Sequence, residues 1–578
     1  MPLRKIPLRQ ILFLGVMFLI IALRLGIWKL FPNMEFSVKD EFSNMIIAGA
    51  VFALAAVFFS TRLIRREGLV HSGLEGPMAL FIMTAAVSAG WSADVSSTCR
   101  ALIVLAAYVL FFYMLVEILK ETVLRQAFFW FFTAAAVIVA LFGINDIIYL
   151  NSVPAQEIEN ARLTNESLYY ILIHKRACSL FGWPNVLASF LMLSMPLAAG
   201  LVLVVRHWAW KAVGVISLGL MLTAFFFTYS VLGWSVFLFT AMVMFLILWR
   251  SGFLKIPPVW SRWIGVGVVL VGVLFAMVLI RKDFKASITP RQEYVRVVGS
   301  MIAQDPWRGC GYGAYRYASL KFVTNHAAMT GFAHNAYLQV WAENGLGGFI
   351  AFCWMVVLLV MGSFRAWLIP RPVDGKIMLA VVLWGLLAFF IDNLNSFTMI
   401  KPNSSFFFWT WLAVACSMIF PTRETPGACS RVSRWLMVIL VLASLAGFWM
   451  AGRWAGYMFW LQKGMNAVNA GDWTAGRTAL ARARAFDPED VRAWTVLGMS
   501  YLKEFQATQK KADLDKAQAA FERAAVLAPN FYHSFLILSR IHAFKGSQDL
   551  AVRLQQKAMS VSPYEVQRDL KQMQGGQR

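Results

Sequence analysis

The chain has 578 residues, of which 59% are hydrophobic and only 14% charged, with a mean hydropathy of +0.62. That composition excludes an ordinary soluble domain and a disordered chain, and predicts a polytopic membrane protein. The net charge of +23 would suggest nucleic acid in a soluble chain, but Lys and Arg gather in short loops between apolar runs, where they set orientation and meet anionic lipid, so no nucleic acid is expected.

Met1 to Arg9 is basic and leads into a long apolar stretch with no clear small-residue cleavage site, so it should stay as the first span. Apolar stretches near the ~20 residues a bilayer requires begin around Gln10, Asn44, Gly76, Thr98, Gln126, Cys178, Ala209, Val231, Trp263, Gly345, Lys376, Ser405 and Arg434. The expectation is an all-α bundle of about 12–13 spans. The basic loops 62–66, 120–125, 206–211, 250–262, 365–376 and 423–434 then fall on one side, as the positive-inside rule demands. Segments 151–175, the turn 228–230, the long segment 281–337 and 393–403 fall on the other, external side. An odd number of spans takes everything after about Gly452 there too. Six cysteines are scattered, mostly inside apolar runs, without a C-x-x-C pair, and predict neither a disulfide framework nor a metal site.

Two external clusters carry chemistry. In Lys175-Arg176-Ala-Cys-Ser-Leu-Phe181-Gly182-Trp-Pro184-Asn185, Pro and Asn inside a span free polar groups, which lipid tolerates mainly around a cavity. Arg176 reads as a snorkelling anchor or as a ligand group. Further on, Thr289-Pro290-Arg291-Gln292 reads as a helix start, with the helix running to Asp305. Arg291, Tyr294, Val295, Val298 and Ile302 would share one apolar face, and Arg296 would project away from it. A guanidinium in that stripe needs an anion, either Glu293 or Asp305, or a phosphate or carboxylate ligand.

The loop Pro306-Trp-Arg-Gly309-Cys-Gly311-Tyr-Gly313 lacks the flanking strand of a dinucleotide fingerprint. Its glycines would allow a tight turn or a close approach, with N–H groups able to cradle an anion. His334 follows, with Asn335 beside it and Glu343 nine residues on. An imidazole can take a proton from a hydroxyl, or simply be satisfied by headgroups or a carbonyl. His326 has no supporting motif, and Asp146 and Asp392 lie near span ends, as boundary residues would.

The tail from Tyr457 is different protein. Trp494-x-x-Leu497-Gly498-x-x-Tyr501 followed by Ala517, Phe521, Ala524 and Pro529 fits a tetratricopeptide repeat. Pro529 and Pro563 are 34 residues apart, the period of that repeat; Pro488 and Pro529 are 41 apart, with a polar insertion near 508–513, at whose end lies the chain's only D-x-D, Asp513-Leu-Asp515. About three repeats are expected, giving a membrane domain over 1–452, with external loop 281–337, and an α-solenoid over 453–578. Such solenoids usually bind peptides or partner proteins.

Three signatures in order resemble the O-antigen ligase and polymerase superfamily of bacterial membrane glycosyltransferases: Arg176…Phe181-Gly182-x-Pro184-Asn185; Arg291-x-x-Tyr294 followed by Pro306-x-x-Gly309-x-Gly311-x-Gly313; and His334-Asn335…Glu343-x-Gly345-x-x-Gly348. The resemblance covers roughly residues 10 to 420. It implies an inner-membrane enzyme that moves a glycan from undecaprenyl diphosphate to an acceptor hydroxyl on the periplasmic face, without metal or cofactor. His334 would activate the acceptor, and Arg291 and Arg176 would hold the diphosphate. Asn185, Gly309, Gly311, Gly313, Asn335 and Glu343 would bind substrate or support the loop. The acceptor could be lipid A core, a growing polysaccharide or a protein, and the repeats could recruit a protein partner. Members often carry Ser-Arg-Gly where this chain has Ser230-Val231-Leu232-Gly233. A flippase, or an assembly scaffold, is the alternative.

Overall fold

The computed structural model describes residues 6–31, 34–164, 166–253, 282–325, 330–420 and 430–575. Lipid offers the backbone no hydrogen bonds, so long apolar runs must satisfy their own N–H and C=O groups as helix. The described residues accordingly contain helices and no strand. In chain order these begin α1 (Leu8–Leu30), α2 (Phe36–Ile64), α3 (Glu75–Val87), α4 (Val95–Leu119) and α5 (Thr122–Ser152). After the short α6 (Ala155–Thr164) and α7 (Glu166–Ile173) come α8 (Pro184–Val204), α9 (Trp208–Phe227) and α10 (Val231–Arg250).

Beyond residue 281 lie α11 (Lys282–Gln304), the single turn α12 (Tyr315–Ala318), α13 (Ala336–Leu368), α14 (Val373–Asp392), α15 (Pro402–Ile419) and α16 (Arg431–Asn469). Among the described residues ten helices are long and apolar enough to cross a membrane: α1, α2, α4, α5, α8, α9, α10, α13, α14 and α16. The stretch expected to span from Gly76 stops after thirteen residues, because Ser88-Ala-Gly90 tightens into a 3-10 turn. The stretch from Ser405 forms α15, almost wholly buried against α4 and α14. The stretch from Trp263 lies outside the described residues.

Among the described residues the basic loops 62–66, 120–125 and 365–376 lie together at one end of the bundle. Arg62 donates to Glu117 at 2.9 Å, Arg9 pairs with Glu67, and Arg371 donates to the Met418 carbonyl at 2.7 Å. Glu41, on the same helix as Arg62 but about 30 Å away along its axis, belongs to the opposite end, where residues 282–325 and 330–337 and the tail sit.

Helix α16 packs along α2 and runs unbroken through Gly452 into the tail, so no linker separates the two. The tail continues as α17 (Trp473–Phe486), α18 (Val491–Thr508), α19 (Lys511–Leu527), α20 (Tyr532–Phe544), α21 (Gln548–Val561) and α22 (Pro563–Gly575), each packed on the next. A Cβ at Gly498 would lie 2.6 Å from the Phe521 ring, which is why a glycine stands opposite that buried aromatic. The extra residues before Pro529 lengthen α18 and α19 instead of forming a long loop.

Candidate functional site

Helix α11 begins at Lys282, so Thr289 does not cap it; the chain is already helical when it reaches Pro290. The buried stripe is also rotated from the one expected. Tyr294, Val297, Val298 and Met301 face the protein, whereas Val295 is 47% exposed. Spacings of three, four and three residues keep Arg291 and Tyr294 on that stripe and leave Val295 at its edge. Neither carboxylate near Arg291 in sequence is spent on it. Glu293 accepts from Arg296 at 2.7 Å and Asp305 accepts from the Arg308 amide at 3.1 Å. Arg296 is exposed and also donates to Thr324 Oγ1 at 2.7 Å, which ties α11 to the returning loop.

The glycine loop braces a break in α13. Gly345 has φ 66 and ψ −172 inside that helix, so the carbonyls before it lose their helical donors. Cys310 N donates to the Ala342 carbonyl at 2.8 Å and Gly311 N to the Glu343 carbonyl at 3.0 Å, while Leu346 N donates to the Pro306 carbonyl at 2.9 Å. Gly313 N donates to Glu343 Oε2 at 3.0 Å, and Gln339 Nε2 to Oε1 at 2.9 Å. The amides expected to cradle an anion at Gly311 and Gly313 therefore point inward, and the loop acts as a strut. Gly309 belongs to the same contact: a Cβ there would lie 2.5 Å from the Glu343 carbonyl oxygen. Asn335 is likewise structural, capping α13 by accepting from Leu338 N at 3.0 Å. In Glu343→Gln one acceptor oxygen becomes an NH2 facing another donor. We expect a loss of about 1–3 kcal/mol, read as a lower unfolding temperature in detergent; an unchanged temperature would show that the strut is dispensable.

His334 sits at the end of this frame in left-handed backbone, φ 51, a conformation that costs a non-glycine residue roughly 1–3 kcal/mol. Its ring stacks on Tyr294 with centroids 4.5 Å apart and meets Phe397 edge-on at 4.7 Å. Nε2 lies 3.4 Å from Thr330 Oγ1. Burial, and secondly the Arg291 charge, pull its pKa down to about 3, so the imidazole is neutral and stays a weak base until an anion offsets that charge.

Arg176 is on the same end of the bundle. Its Nε donates to the Thr228 carbonyl at 2.8 Å and its Nη2 to Asn185 Oδ1 at 3.0 Å. The turn before Val231 thus has a guanidinium, supplied from the α7–α8 connection. One turn along α8, Ser189 donates to Asp392 at 2.6 Å. Asp392 in turn lies within the field of Arg291. Asp392 is 8% exposed and is more than a boundary residue. Asp146 accepts from Cys178 N and Ser179 N and shapes the turn that presents Arg176.

His334, Glu343 and Gly313 face a cavity of about 620 Å³, within the range of small-molecule sites; Arg176, Asn185, Arg291 and Asn335 do not line it. Lys401, absent from the sequence reasoning, is on its wall at 2% exposure, with its ammonium 5.3 Å from the Trp183 ring centroid. A lone lysine between spans has no motif, and only Trp183 next to Pro184-Asn185 hinted at this wall.

Residues 216–353 match the family model described as O-Antigen ligase, a stretch that holds Arg291, the glycine loop, His334 and Glu343. No curated protein matches the chain.

Proposed function

From the O-antigen ligase domain that the chain carries over residues 216–353, which makes it an O-antigen ligase/polymerase-like membrane glycosyltransferase, we propose a specific reaction. A glycan leaves undecaprenyl diphosphate for an acceptor hydroxyl on the periplasmic face of the inner membrane. The observation that carries this reading is a neutral imidazole, His334, on a cavity wall and within the field of Arg291.

In that reaction the acceptor O–H gives its proton to the His334 ring as its oxygen attacks the anomeric carbon. The bond from that carbon to the diphosphate oxygen breaks, and the electron pair stays with the leaving lipid diphosphate. Arg291 and Arg176 meet the developing charge; Asn185 holds Arg176 in place, and Asp392 lies within the field of Arg291. The arrival of the diphosphate compensates the Arg291 charge, so the His334 pKa rises and the ring becomes a stronger base when the donor is bound. We read the tail as a tetratricopeptide-type stack on the periplasmic side, supported by the Gly498–Phe521 contact.

Arg291→Lys keeps the charge but loses the planar fork. We expect kcat to fall by about 10²-fold, with the protein still folded and inserted. Purified protein given undecaprenyl-diphosphate-linked oligosaccharide tests the whole reading through release of lipid diphosphate and the mass of the glycan product. Failure to release it with any acceptor would overturn the reaction.

A further inference from the structure

The tail is seated on the bundle by buried charge. Arg100, at the start of α4 and 5% exposed, reaches Asp490 at 2.6 Å and Glu41 at 3.2 Å. Arg492 reaches the same two carboxylates at 2.7 and 3.1 Å. Two guanidinium groups and two carboxylates from three helices thus close on one another, with Asp490 1% exposed. Burial would raise the Asp490 pKa, but Arg492 and Arg100 hold it well below the usual carboxylate range. A second fastening lies farther along, where Asn530 Nδ2 donates to the Ala93 carbonyl at 3.1 Å.

The end of the tail interlocks with the loop that carries His334. Leu320 packs among Tyr532, Leu536 and Val566 of the tail, while Tyr564 packs among Val297, Val298 and Tyr315 on the loop side. Between these contacts Glu565, 8% exposed, faces the same cavity as His334. An arm that recruits proteins at a distance needs a linker and an open approach. Here α16 is continuous and the tail closes one side of the reaction cavity.

The wall chemistry of that cavity suits a sugar. Trp183, Tyr312, Tyr317 and Phe332 line the cavity with aromatic rings that suit the C–H side of a pyranose, and the carboxylates of Asp40, which also accepts from Asn403, and Glu565, which also accepts from Tyr532, retain lone pairs for sugar hydroxyls. We infer that the helical tail is a fixed wall of the acceptor site, that Glu565 is an acceptor-binding residue, and that the acceptor is a glycan chain, not a folded protein. This inference rests on the transfer reaction proposed above, but glycan binding at Glu565 does not need turnover.

Two experiments on the full-length protein test it. In the first, Ala93→Cys and Asn530→Cys are combined and bridged with a short, cleavable thiol crosslinker, each single variant serving as control. A bridged enzyme that turns over as fast as the unbridged one supports a fixed wall. Loss of transfer on bridging, restored by cleavage, would mean that the tail must swing away, and would overturn it. In the second, binding of a repeat-unit oligosaccharide from the host's surface polysaccharide is followed by tryptophan fluorescence. Glu565→Gln should weaken that binding about tenfold and raise the acceptor KM by the same factor, with the donor KM unchanged. Unaltered oligosaccharide binding, or recovery of the transferred glycan on protein, would overturn the assignment. Weakened oligosaccharide binding without any release of lipid diphosphate would sustain the acceptor wall while overturning the transfer reaction.

Discussion

Substituting alanine for His334 is expected to lower kcat for glycan transfer by roughly 10²- to 10⁴-fold, the usual contribution of a positioned general base. Donor KM should change little, because the arginines and not the imidazole hold the diphosphate in this mechanism. The pH profile separates this role from a structural one. In the free protein, burial and the Arg291 charge hold the His334 pKa at about 3, so kcat/KM, which reports free enzyme, should show no acid limb from this ring near its ordinary pKa of about 6.5. With donor bound, the diphosphate offsets Arg291 and the acid limb of kcat should lie at higher pH than that of kcat/KM. An acid limb in kcat/KM near 6.5 would show that the ring is not held neutral as described. Stability carries the same sign. The unfolded chain binds the proton below about 6.5 and the folded protein does not until about 3, so His334 lowers stability progressively as pH falls through that window and contributes nothing above it. His334→Gln should flatten that part of the stability curve.

Much of this site was legible because its parts are local patterns. Apolar runs marked the helices, and the order of the arginine, glycine and histidine signatures marked the segments that meet. Arg291 and Tyr294 were assigned to one face correctly, yet the stripe was placed one residue off at Val295, since periodicity fixes a face only to within a fraction of a turn. The role of the glycine loop was harder to see. Its amides answer the carbonyls freed at Gly345, and nothing before the fold says which helix will break opposite them. Asp392 and Lys401 were passed over for a similar reason: a single charged residue between spans looks like an anchor until its partner from another helix is known. The tail was read as helical pairs, but its seating was invisible. Arg100 and Asp490 are 390 positions apart, and Asp490 in sequence is an ordinary acidic residue just before a helix.

Gly345 should be the least replaceable residue of the frame. Its φ of 66 and ψ of −172 fall where glycine alone is comfortable, and a side chain there costs on the order of 1–3 kcal/mol from backbone strain by itself. Space makes the position stricter still, because a Cβ would collide with the Trp307 carbonyl oxygen and crowd Arg308. Both neighbours are backbone in the strut, so neither can move aside as a flexible side chain would. Gly345→Ala must then either push the glycine loop off α13 or straighten the helix. Straightening would return the Ala342 and Glu343 carbonyls to helical donors and release Cys310 N and Gly311 N from their bonds, and the Gly313 N–H bond to Glu343 would go with them. We therefore expect a loss of at least about 3 kcal/mol, at the upper end for a single substitution, seen as a markedly lower unfolding temperature in detergent. Transfer should fall with it even though Gly345 touches no reacting atom, because the helix it breaks, α13, begins two residues after His334. A Gly345→Ala protein with normal stability would mean that the break in α13 is not what holds the loop.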